Sequence, residues 1–172
     1  MACRGVFFAI DKKTAKRLRK ISRSLIVDYV QEKIEEVYFD KHVNRVAETD
    51  KAWDAIQRAF SESLLEFAPT TGAYPANAII LGGEILYGNR EGEDDYIISL
   101  KAPDMVSDIC GFLSTLNEER FRTLYFKIDA EKYDFSVDEQ DFEYTWEWLD
   151  GTRDFWKNAA KNELYVIFTV DL

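Results

Sequence analysis

No run of apolar residues in this chain approaches the eighteen or so that a membrane-spanning helix needs. Histidine occurs once, at His42 in FDKHVNRV. A Ser-His-Asp or Cys-His relay would have to pass through that residue, and no Gly-x-Ser-x-Gly turn presents a nucleophile to it. His42 therefore reads as a partly exposed structural residue. The two cysteines, Cys3 and Cys110, lack metal-ligand spacing and read as reduced, independent thiols that pack as small hydrophobes. Proline is scarce, and no repeat or low-complexity linker is present. The N-terminal MACRGVFFAIDKK has no basic region ahead of a long apolar stretch and no small-residue cleavage site, so a cytoplasmic, non-membrane protein is expected. Neither a Gly-Lys-Ser/Thr phosphate loop nor an EF-hand occurs, and EGEDD at 91–95 has the wrong ligand order for calcium. Nothing calls for a metal or a cofactor.

What the chain does have is core material. Of 172 residues, 47% are apolar and 15% aromatic, enough for one domain over 1–172 with a single good core. The net charge of −10 is unevenly placed. Residues 11–23, DKKTAKRLRKISR, hold seven Lys/Arg against one Asp, whereas everything after residue 23 holds 14 basic and 31 acidic residues. So acidic a body repels phosphate backbones, which argues against nucleic-acid binding. It suits a basic protein partner, or simply solubility.

Periodicity supplies the elements. GVFFAI at 5–10 reads as a buried strand, with Asp11 capping a basic helix whose inner face is Ala15, Leu18 and Ile21. A second helix, or a broken continuation, follows with Leu25, Tyr29, Ile34 and Val37 inward. Asp50 is expected to start a helix with Trp53, Ile56, Phe60, Leu64 and Phe67 on one stripe. YIISL at 96–100 is a strand, and Pro103 starts a helix with Met105, Ile109, Phe112 and Leu116 inward. Asn117 caps a short helix through Phe121, Leu124 and Tyr125. Asp138 opens a long acidic helix with Phe142, Thr145, Trp146, Leu149, Phe155 and Trp156 on its apolar side and a kink at Gly151. LYVIFTV at 164–170 is apolar on both faces, as in a central strand covered by helices on each side. The sum is a mixed α/β domain in which helices dominate.

NAIILGGEILYGN, at 77–89, raises the question of a phosphate-binding loop. Gly82, Gly83 and Gly88 have the wrong spacing for a dinucleotide fingerprint, and no helix start follows them. The stretch reads as a tight turn passing close to the Trp53 helix. Asp50 and Asp54, four apart, suit an N-cap and a first-turn acid better than acid–base work.

Three segments in order resemble the bacterial YfbM-like family, DUF1877. They are DKAWDAIQRAF at 50–60, PANAIILGGE at 75–84 and FWKNAAKNELYVIFTV at 155–170. The resemblance implies a three-layer arrangement, a small sheet between helices, and brings no accepted reaction. Many relatives carry histidines after the Trp where this chain has Asp54 and Gln57, and the Gly-Pro motif that often follows LGGE is absent. Any histidine-dependent activity of the family is not expected here.

Two functions follow as expectations. The first is a non-catalytic protein-binding domain, in its most concrete form an immunity-type protein that masks a basic toxin domain. Its docking surface would be the acidic, aromatic helix: Asp138, Glu139, Asp141, Glu143, Tyr144, Glu147, Trp148 and Asp150. The basic helix 12–23 could be an internal counterpart to it. The second is a small-ligand binder or enzyme with a pocket formed by Asp50, Trp53, Asp54, Glu84, Tyr87 and Asn89. That reading requires those side chains to converge.

Overall fold

The computed structural model describes residues 3–88 and 94–172. Five strands form one antiparallel sheet: β1 (Gly5–Ile10), β2 (Val46–Asp50), β3 (Glu84–Tyr87), β4 (Tyr96–Lys101) and β5 (Tyr165–Asp171), in the order β2-β1-β5-β4-β3. The expected central strand is the middle one, with Phe168 opposite Phe7 on one side and Ser99 on the other. Side chains alternate between two cores, as the pleat requires. Val6, Phe8, Ile10, Ile98 and Ile167 meet α1 (Lys12–Leu18), α2 (Arg23–Val30) and α3 (Glu36–Lys41). Phe7, Ala9, Ile97, Val166 and Phe168 meet α4 (Ala52–Phe60), α5 (Pro103–Thr115), α6 (Glu118–Tyr125), α7 (Glu139–Gly151) and α8 (Arg153–Lys161). The sheet is thus the middle of three layers. Its three inner strands, β1, β5 and β4, are buried on both faces because helices cover both, although no pair of strands is parallel.

Local chemistry sets several boundaries as expected. Asp11, Asn117 and Asp138 each accept a hydrogen bond from the backbone N–H three residues on, at 2.7, 2.8 and 2.9 Å. At Gly151 the expected kink is a full break between α7 and α8.

Elsewhere the structure departs from the periodicity. Asp50 does not cap α4; it ends β2 with φ 45°, and the helix starts at Ala52. The Trp53 helix stops at Phe60. Ser63 N–H turns back to the Arg58 carbonyl at 2.9 Å, and Ser61 Oγ donates to the Gln57 carbonyl, so Leu64 and Phe67 fall outside the helix. Along α2 and its continuation into α3, Ile26, Val30, Ile34 and Tyr38 are buried, while Leu25 is 58% exposed. A strict α-helix rotates about 40° for every four residues. The π-helical turn at Gln31–Glu35 absorbs that drift and keeps the four residues on one row. In α5, Val106, Ile109 and Leu113 are buried, and Met105 and Phe112 only flank the core.

Candidate functional site

The acidic helix α7 turns three sides to three environments. On its inner side Phe142, Thr145 and Leu149 are buried. On one flank, Glu139 forms a bidentate ion pair with Arg122, one arm at 2.7 Å, and Asp150 holds Arg153 at 2.5 Å. Arg153 also donates to the carbonyls of Leu113 and Leu116, so this pair ties α8 to the end of α5. Asp141 accepts from Tyr125 at 2.6 Å and Tyr133 at 3.0 Å. Burial, together with that carboxylate, pushes both phenols above their ordinary range. Asp138 is the helix cap. Tyr144 donates to Asp50 at 2.8 Å, and burial with that contact raises its hydroxyl to about 12. Of the eight residues expected to dock a partner, five therefore serve the fold. Glu143, Glu147 and Trp148 remain available.

Trp148 leads to what the sequence did not show. It lines a groove of about 550 Å³ between edge strand β2 and the α7–α8 junction. Val46, Ala47 and Phe155 supply apolar wall, and Glu48 and Asp154 supply carboxylates. Asp154 has a loose, exposed partner in Lys157 at 3.4 Å. No signal in VAETD marks it as an edge strand beside a tryptophan, so Glu48 was not recognisable.

The alternative pocket does not assemble. Asp50 in β2 and Glu84 and Tyr87 in β3 stand at opposite edges of the sheet. Trp53 is buried and its indole N–H donates to the Cys3 carbonyl at 3.0 Å. Asp54 pairs with Arg58 at 2.5 Å; burial raises its carboxyl, and the guanidinium partly offsets this. Asn89 lies outside the described residues. The LGGE turn itself is packing. A Cβ on Gly82 would sit 2.3 Å from Ala78 Cα, and Gly83, at φ 92°, passes against the Leu100 carbonyl. Leu81 N–H donates to Gln57 of α4 at 3.0 Å, which makes the expected approach to the Trp53 helix.

A family model describing a domain of unknown function, DUF1877, matches residues 1–169. The chain belongs to the DUF1877 family. A solved structure, that of the protein of unknown function YfbM from Escherichia coli, is similar over 97% of this chain and 99% of that one. The TM-score is 0.65 at 17% identity. At that identity the likeness is one of fold. Among curated proteins none matches.

Two further features of this DUF1877 domain bear on function. The basic segment does not face α7. Arg19 bonds Glu84 at 2.7 Å, and Arg23 pairs with Asp94 and lies over Tyr87, all towards the β3 edge. His42 is exposed and sets its ring against Tyr38, with centroids 5.0 Å apart. Among the described residues no three His, Cys, Asp or Glu side chains cluster as metal ligands, and no helix is long and apolar enough to cross a membrane.

Proposed function

We propose that this DUF1877 domain is a non-catalytic, cytoplasmic protein-binding domain. It docks a basic segment of its partner in the groove beside Trp148. The observation that carries this reading is the groove itself, where a half-buried tryptophan and apolar wall lie among Glu48, Asp154 and the adjoining Glu147. Aromatic anchors in a concave apolar site, rimmed by charge, are the features that concentrate binding energy at interfaces. The acids would steer a basic partner and fix its orientation more than they would add affinity. In its most specific form the reading is an immunity-type role, with the partner a basic toxin domain whose active site is masked.

The test is retention of a partner from lysate of the source cell by the tagged protein, in about 0.1 M and about 1 M salt, since screening weakens exposed charge contacts. The partner is expected to be lost at high salt, lost with Trp148→Ala and with Glu48→Lys/Glu147→Lys, and retained with Glu118→Lys. If it is a toxin, its activity disappears on binding. A partner held equally by Trp148→Ala would sink the proposal.

A further inference from the structure

We propose a second, separate site: the cleft between the end of α4 and helices α5 and α6 binds a small organic anion with a flat apolar body. The cleft encloses about 710 Å³, a size that takes a drug-sized ligand. Phe60, Phe112 and Leu124 give it an apolar wall. Its charged lining is inverted relative to the molecule. Arg58, Arg120 and Lys127 face a single carboxylate, Glu62, in a chain whose acids outnumber its bases 32 to 22.

The three cations are not equivalent. Arg58 is committed to Asp54 and to the Ser63 carbonyl at 3.0 Å, and so forms fixed floor. Arg120 and Lys127 have no carboxylate within ion-pair distance among the described residues. The Arg120 guanidinium lies 5.4 Å from the centre of the Phe112 ring. That pair holds a cation for an anionic group over the aromatic wall of the cleft.

The rim is held in place. Glu62 and Ser63 occupy the left-handed region at φ 53° and 70°. Two successive non-glycine residues stay there only where their surroundings enforce it. Here Ser63 Oγ accepts the Asp129 N–H at 2.8 Å, pinning the rim to the segment after α6. A preformed mouth loses little freedom when a ligand enters.

The probes are the fluorescent anion 8-anilinonaphthalene-1-sulfonate and its neutral relative N-phenyl-1-naphthylamine, titrated into the full chain. The sulfonate is expected to bind one to one, and the neutral dye at least about ten-fold more weakly, as loss of charge-assisted contacts implies. Arg120→Gln/Lys127→Gln, both on exposed side chains, should weaken the sulfonate about ten-fold and leave the neutral dye unchanged. Thr123→Trp, which fills the cleft from α6, should abolish both, with an unchanged circular dichroism spectrum. Lys157→Gln on α8 and Trp148→Ala in the other groove should change neither. Equal binding of the two dyes, or sulfonate binding indifferent to the double substitution or to the filled cleft, would overturn the site without touching the docking proposal.

Discussion

Lys101 is the side chain whose chemistry the fold changes most. It is fully buried, and its Nζ donates to the Ile80 carbonyl at 2.7 Å and to Ser99 Oγ at 2.9 Å, with no carboxylate beside it among the described residues. Burial lowers its pKa from 10.5 to about 7. Between those values the unfolded chain holds a proton that the folded chain lacks. Stability therefore rises with pH across that window and is flat, with respect to this group, below it. Urea unfolding should show the wild type gaining a few kcal/mol from about pH 6.5 to about pH 9.5. Lys101→Met should lose most of that gain and be the more stable protein at the lower pH, since Ser99 Oγ still satisfies the Ile80 carbonyl at 3.1 Å. Tyr96, Tyr125 and Tyr133 are pushed upward by burial in the folded protein, and a scan that stops at about pH 9.5 stays below the ordinary tyrosine value of 10 at which they titrate once unfolded. Equal slopes in the two proteins would acquit Lys101. In the sequence the strand reads as YIISL and Lys101 falls just outside it; only the sheet and its covering layers show that Lys101 belongs to β4 and is buried.

At the scale of elements, two glycines make opposite predictions. Gly82 has no room: an added Cβ would meet Ala78 Cα at 2.3 Å and Ala78 Cβ at 2.5 Å, so Gly82→Ala should cost about 2 kcal/mol or more. Gly111 lies inside α5, is exposed and has open space around it, so Gly111→Ala should add about 1 kcal/mol through helix propensity. Urea midpoints of the two variants check both signs. A tolerant Gly82 would reopen the LGGE turn as a ligand loop. The elements that could be read from sequence are those whose limits are written in local chemistry: the Asp11, Asn117 and Asp138 caps, Pro103, and the Gly151 break. Those that could not be read depend on distant partners. β2 and β3 are edge strands whose VAETD and EILY carry no alternation strong enough to mark them. The Leu64 and Phe67 spacing continues a helical stripe that the Ser61–Ser63 turn has already ended. The candidate site divides in the same way. The types of residue on α7 were legible, but their partners were not, since Arg122, Arg153, Tyr125 and Asp50 lie between 3 and 94 positions away in the chain.

For the whole molecule, the balance between net charge and ion pairs decides how salt acts. The chain carries −10, and most ion pairs among the described residues are exposed or partly so. Exposed pairs contribute little, and salt weakens them. Self-repulsion of a strongly acidic surface opposes compactness, and salt weakens that as well. With ten charges uncompensated, repulsion should prevail. The melting temperature is expected to rise by ~2–4 °C, or about 1 kcal/mol, between about 0.02 M and about 0.5 M sodium chloride. Glu143→Lys/Glu147→Lys brings the net charge to −6 and removes exposed acids that have no ion pair among the described residues. This variant should melt higher than wild type in low salt and match it in high salt. A melting temperature that instead falls with salt would mean that pairs such as Arg19–Glu84 and Arg122–Glu139 outweigh the repulsion. In the expected case, Glu143 and Glu147 lower stability without serving the fold. Glu147 adjoins Trp148 in the chain, so its cost in stability is one that the proposed docking role would account for.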